Sequence, residues 1–284
     1  MFLLHSNIPK NGKVETKKQQ EYRFFVLLYG DTLATFIKNK NMQTQFLKSI
    51  VWITIFGIAM ALFESAVVIY LRELYYPDGF QFPLQQIEGH IAIVEILSEA
   101  ATMIMLLAIA AIAGKTAIEK FAWFIFSFAV WDIFYYVFLY LLIDWPQNLL
   151  EWDILFLIPV TWVGPVICPV INSIMMIGLA LLLIFFSKKN KKSIVGWLAW
   201  MLLIVGSIVV IVSYTNDYVI YMQQWFTFKE IIFFENSDKI LEKASMYIPH
   251  KFNWYIYGVG IFMHIIAIAN IYQRNIKKQS FLLV

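Results

Sequence analysis

A run of about 20 mostly apolar residues, coiled into a helix, spans the roughly 30 Å hydrocarbon layer of a bilayer and satisfies its own backbone there. Five stretches of this chain qualify outright: residues 49–71, 91–113, 121–143, 194–214 and 254–272. A sixth, 166–186, is long enough but follows a shorter apolar piece, 154–163, which carries Pro159 and ends at Gly164-Pro165. That shorter piece has the length of a re-entrant or interfacial segment, and the Gly-Pro pair marks the point where the chain turns back. The reading is an all-α polytopic bundle of about six transmembrane helices with one re-entrant or interfacial segment.

Composition agrees, because 61% hydrophobic and only 14% charged residues in 284 suit lipid rather than water as solvent. A formal charge of +3 is too small to indicate nucleic acid, and the basic residues gather between apolar runs instead of along one face. The single cysteine, Cys168, rules out a disulfide framework and reads as a packing residue.

Lys and Arg in short loops are retained on the cytoplasmic side of a membrane, and here they alternate. One side collects the basic amino-terminal tail, Lys115 and Lys120, the run Lys188, Lys189, Lys191 and Lys192, and finally Arg274, Lys277 and Lys278. The other holds Asp78 and Glu88, then Asp144, Glu151 and Asp153, with few cations apart from Arg72 and the mixed final loop. Both termini are therefore expected in the cytoplasm, with residues 1–48 a tail, 49–273 the membrane domain and 274–284 a second tail. The first tail has no cleavable signal pattern; residues 22–37 read as a short amphipathic helix, and Met42 is an alternative start. The one sizeable outer loop, 217–252, mixes Trp225, Phe226, Phe228, Phe233 and Phe234 with Lys229, Glu230 and Glu235, as suits the membrane surface, and Asn236, Ser237 or Asp238 is placed to cap a short helix running to about Tyr247. It is expected to lie as a lid over the outer helix ends.

Ionisable residues inside the runs carry the functional signal: Glu64, Glu95, Glu99, Asp132 and His264. An ionised carboxylate near the bilayer centre costs roughly 2.5–3.5 kcal/mol, so each should face the bundle interior with a partner or take up a proton. Counting inward at about 1.5 Å per residue puts Asp132 and His264 roughly 15–18 Å deep and Glu99 about 13 Å, with Glu95 a turn above it and Glu64 in the same layer. Glu88, Glu95 and Glu99, spaced by seven and four, share a stripe with Ser98 and Thr102 beside it. Arg72 lies two turns outward of Glu64 on the same face and is expected to snorkel to the surface. Tyr136 and Tyr140 follow Asp132 at steps of four and offer hydroxyls above it, while Tyr257 precedes His264 by seven. Asn172 and Ser173 sit beside Pro165 and Pro169 in the fourth run, where a proline frees a carbonyl that must find a partner or line a cavity. Gly57, Ala61, Gly178, Gly206 and Gly260 read as sites of close helix packing.

The segments ESAVVIYLRELYYP from Glu64, EILSEAAT from Glu95, WDIFYY from Trp131 and WDILFLIPVTWVGPV from Trp152 resemble those of a family of uncharacterised multi-pass bacterial membrane proteins. The resemblance covers the first to fourth spans and implies a bacterial inner-membrane setting; it implies no activity and gives no residue a catalytic role.

The chemistry expected of these residues is a carboxylate-rich pocket in the outer half that handles a proton or a metal cation. A membrane enzyme binding a divalent metal through the same carboxylates and His264, and acting on a lipid or quinone-like substrate, is the alternative, although paired Glu-x-x-His motifs are missing. A structural subunit with its acids protonated is a third. Phosphate-binding loops, Gly-rich dinucleotide turns and activated nucleophiles are lacking, so no nucleotide cofactor is expected.

Overall fold

The computed structural model describes residues 40–189, 194–235 and 237–281. By backbone contacts the chain divides into two units, residues 1–51 and 52–284, and of the first only Lys40–Val51, the opening turns of a helix, is described. The amphipathic helix expected at 22–37, Asn236 and most of the lysine run after Lys188 lie outside the described residues.

Eight helices and one two-stranded sheet make up the described chain: α1 (Lys40–Tyr75), α2 (Gly89–Ala113), α3 (Ala117–Ile143), β1 (Trp152–Phe156), β2 (Trp162–Pro165), α4 (Ile167–Lys189), α5 (Trp197–Met222), α6 (Phe228–Phe233), α7 (Ser237–Ser245) and α8 (Trp254–Phe281). Six of these helices, α1 to α5 and α8, are long and apolar enough to cross a membrane. The molecule is an integral membrane protein built as an all-α, multi-pass bundle. Large apolar side chains such as Phe63, Ile112, Leu141 and Tyr255 are correspondingly exposed, as lipid-facing surface requires.

The helices pack in sequence-local pairs, α2 on α3, α3 on α4 and α5 on α8. Small residues bring them close, as the sequence indicated. A Cβ on Gly260 would stand 2.6 Å from Val210 Cγ2 and 2.9 Å from the Gly206 carbonyl oxygen, and one on Gly57 would stand 2.8 Å from Val130 Cγ1. In lipid, where apolar burial adds little drive, such close contact is what holds helices together.

Three boundaries differ from the sequence reading, each for a local reason. The fifth span begins at Trp197, not Ile194, because Gly196 occupies its N-cap, and it continues two turns beyond Tyr214 to Met222. Pro169, read from the sequence as freeing a carbonyl within the fourth run, sits in the first turn of α4, which starts at Ile167, where an amide would have no helical partner. The segment read as re-entrant or interfacial is a β-hairpin: Trp152 pairs with Pro165, Asp153 with Gly164, Ile154 with Val163 and Phe156 with Trp162, with an irregularity between Ile154 and Phe156. Its aromatic and β-branched residues suit strands, and ten residues around a proline are too few for a helix that reverses.

Connections on the hairpin's end of the bundle are knit by rings. Phe82 reaches Tyr247, and Tyr247 reaches Tyr218 and Tyr221. The Tyr247 hydroxyl donates to Asp217 Oδ2 at 2.7 Å, and burial together with that carboxylate pushes the phenol well above its usual range, which keeps it a donor. Helix α6 opens with a capping box in which Thr227 and Glu230 satisfy one another's amides, and α7 packs against α2. Parts of the 223–253 connection thus pack against the start of α2 and against the hairpin.

Replacing Gly260 by valine is expected to push α5 and α8 apart and lower stability by about 1–3 kcal/mol. Thermal unfolding in detergent checks this; an unchanged midpoint would show that the helices do not meet at Gly206 and Gly260.

Candidate functional site

The acids of the first three spans meet around one cavity of about 170 Å³ on the hairpin's side of the bundle. Glu64 from α1, Glu95 and Glu99 from α2, Asp132 from α3 and Asp153 from β1 all line it, with a single cation, Arg72. Helix periodicity delivers the first four, since Glu64, Val68, Leu71, Arg72 and Tyr75 form one stripe of α1 and Trp131, Asp132, Tyr135 and Tyr136 one stripe of α3. Residues 153–157 of the hairpin form the facing wall, and Tyr76, Phe80, Gln85 and Ile87, from the α1–α2 connection, complete the lining on the hairpin's side.

Most of these carboxyls are tied to a neighbour. Glu64 is buried and accepts from the Thr102 hydroxyl at 2.9 Å, which joins α1 to α2. Asp132 accepts from the Ser173 hydroxyl at 2.8 Å, which joins α3 to α4. Glu99 accepts the backbone amides of Leu157, at 2.8 and 3.0 Å, and Ile158, at 3.2 Å, and so fastens the hairpin tip to α2. Glu95 is the exception: among the described residues it makes no hydrogen bond or ion pair, although it lines the cavity and lies near enough to Glu64 and Glu99 for their charges to interact.

Arg72 does not snorkel. It is 8% exposed, and its Nη2 donates to Asp153 Oδ1 at 3.1 Å. The guanidinium lies 3.8 Å from the centre of the Trp145 ring and 4.5 Å from that of Phe80, so aromatic faces replace water around it. Asp153 also accepts from the Tyr136 hydroxyl at 3.3 Å. Burial pushes the Asp153 carboxyl up to about 6, while the Arg72 guanidinium pulls it the other way. Sequence reasoning counted Asp153 as an outer-loop acid, and its pairing with a cation 81 positions earlier left no local signal.

Other expected members lie elsewhere. Tyr140 is 54% exposed and takes no part. Asn172 donates to the Tyr214 hydroxyl at 2.7 Å, and Tyr257, expected to accompany His264, points its hydroxyl at Asn172 Oδ1 (3.3 Å) and the Cys168 carbonyl (2.9 Å). These groups knit α4, α5 and α8 rather than the cavity. His264 does not join the carboxylates: its ring packs on Gly206, with Nε2 3.2 Å from Ser207 Oγ and 3.3 Å from the Leu203 carbonyl oxygen. Glu88, the outermost residue of the acidic stripe, pairs with His90 at the exposed start of α2.

The carboxylates and His264, expected together as candidate metal ligands, are divided between two places in the bundle. Among the described residues no three His, Cys, Asp or Glu side chains converge closely enough to hold a metal ion. With His264 removed to another interface and Glu99 and Asp153 committed to the hairpin, a ligand set of ordinary size is not assembled. Compared with protein-family models, curated proteins and solved structures, the chain matches none.

Removing Arg72 alone leaves Asp153 buried without its countercharge, so Arg72→Met is expected to destabilise by about 3–5 kcal/mol, whereas Arg72→Met with Asp153→Leu should recover most of that loss. Unfolding midpoints of the two variants in detergent decide it. A double variant no more stable than the single would mean that the pair is not what holds the hairpin.

Proposed function

We propose that this chain is a multi-pass protein of the bacterial inner membrane, both termini cytoplasmic, whose function is to exchange protons at the carboxyl-lined cavity, with Glu95 as the exchanging group. The orientation is supported by the alternation of basic and acidic loops, which puts the hairpin on the outer side. The inner-membrane setting follows the resemblance of the first four spans.

One observation carries the reading: Glu95 faces the cavity without a partner, while the other acids are held by neighbours. Charge balance adds to it. Five carboxyls and one guanidinium line the cavity, so Arg72 offsets a single negative charge and the rest require protons or a cation. Among the described residues no three His, Cys, Asp or Glu side chains converge as metal ligands, which favours the proton. Glu64 and Glu99 then act on Glu95 as fixed neighbours, disfavouring a second charge beside them, and Asp132 stands at the cavity floor on the α3–α4 side.

Infrared difference spectra of the purified protein in lipid, recorded against pH, are expected to contain a titrating carboxylic-acid band that disappears in Glu95→Gln and persists in Glu88→Gln. If the Glu95 variant keeps every titrating band, the proton reading fails. Metal analysis is the companion measurement: stoichiometric zinc or manganese that is lost in Glu99→Ala would replace protons by a metal and restore the enzyme reading.

A further inference from the structure

We infer that the cavity is a one-ended vestibule: what it binds enters and leaves on the face that carries the hairpin, and the chain does not pass it across the membrane. The inference deepens the proton-exchange reading and rests on the same cavity.

The cavity's lining stops at one level. Its deepest members are Glu64 on α1, Glu99 on α2 and Trp131 with Asp132 on α3; every other helical residue that lines it lies further toward the hairpin. At this level and beneath it, Met60, Ala61, Leu106 and Trp131 form a buried apolar cluster, with Phe56, Phe124 and Phe128 packed against its lower part and Phe134, Tyr135 and Phe138 against its upper part. The three helices that supply the floor thus supply a plug as well.

Below that floor the same helices offer nothing for a charge to step onto. Residues 52–63 of α1, 100–113 of α2 and 121–131 of α3 contain no ionisable side chain, and their only hydroxyls are Thr54, Thr102 and Ser127. Thr102 is spent on Glu64, and Ser127 donates to the Phe124 carbonyl of its own helix. From Lys120 to Asp132, and from Glu99 to Ala113, the helices run roughly 18–21 Å, more than half of a hydrocarbon layer. A dry apolar constriction of that length stops ions and protons, because water does not fill it and an unpaired charge within it is costly.

The other half of the bundle does not bypass the plug. The α4–α5–α8 groups, Asn172, Tyr214 and Tyr257, bond to one another and to Cys168, and His264 is engaged with Ser207 and Leu203 on the α5–α8 seam. Beyond Ser173, helix α4 buries Leu179, Ala180, Leu182, Leu183, Ile184 and Phe186. A polar site that opens on one face above an apolar plug suits sensing or chemistry at that face and does not suit conduction.

Cysteine accessibility tests access without relying on protons. In a Cys168→Ala background, Glu95→Cys, Asp78→Cys as a marker for the hairpin face and Lys115→Cys as a marker for the opposite face are exposed to a membrane-impermeant thiol reagent in right-side-out and inverted vesicles. Glu95→Cys is expected to react on the same side as Asp78→Cys and at least about tenfold more slowly from the Lys115→Cys side. Comparable rates from both sides would overturn the inference, as would a lumenal pH change in wild-type proteoliposomes that exceeds that of empty ones and is lost in Glu95→Gln. If no carboxyl titrates, yet Glu95→Cys reacts from one side only, the proton reading falls and the one-ended vestibule stands.

Discussion

The buried pair of Arg72 and Asp153 is the contact on which the rest of the hairpin end of the bundle depends. A guanidinium at the end of a membrane helix would ordinarily extend toward water, yet here it is clasped by two aromatic rings and turned toward a strand. That choice fixes the hairpin root against α1, and the Tyr136 hydroxyl adds α3 to the junction. With the root placed, the tip can only arrive over α2, where Glu99 receives its amides. The hairpin then has two different faces. Residues 153–157 wall the cavity, while Val160, Val163 and Gly164 pack against Tyr218, Tyr214 and Phe252. It is a wedge that gives the first three spans a chemistry separate from that of the last two.

This division explains how the polar groups are allotted. Spans one to three carry acids that meet in a space left unfilled, whereas spans four, five and the last carry amides and hydroxyls that saturate one another. Buried hydrogen-bonded networks rigidify a membrane bundle, and Asn172 belongs to one. Glu95, at the cavity wall, makes no hydrogen bond among the described residues.

Much of this was legible in the amino-acid sequence. Apolar run length gave the six spans, because hydrocarbon thickness leaves little freedom in helix length. The seven-and-four spacing of Glu88, Glu95 and Glu99 put the inner two on the cavity face, because helical period is a local property. What escaped depends on contacts between distant segments. That Arg72 would find Asp153 eighty-one positions later, that Glu99 would bind main-chain amides, and that His264 would settle on Gly206 are facts of tertiary packing with no local signature. The hairpin escaped for a related reason: a ten-residue apolar piece satisfies the length rule for a re-entrant segment as well as the composition of two strands, and only the pairing of Trp152 with Pro165 separates them.

Glu99 grips the hairpin through peptide N–H groups alone. Every amino acid except proline presents the same N–H, so the fastening is blind to which side chains occupy positions 157 and 158. Leu157, which borders the cavity, is therefore free to vary in size and polarity without loosening the tip. The volume and character of the space beside Glu95 can be reshaped at that position while the scaffold that encloses it stays put.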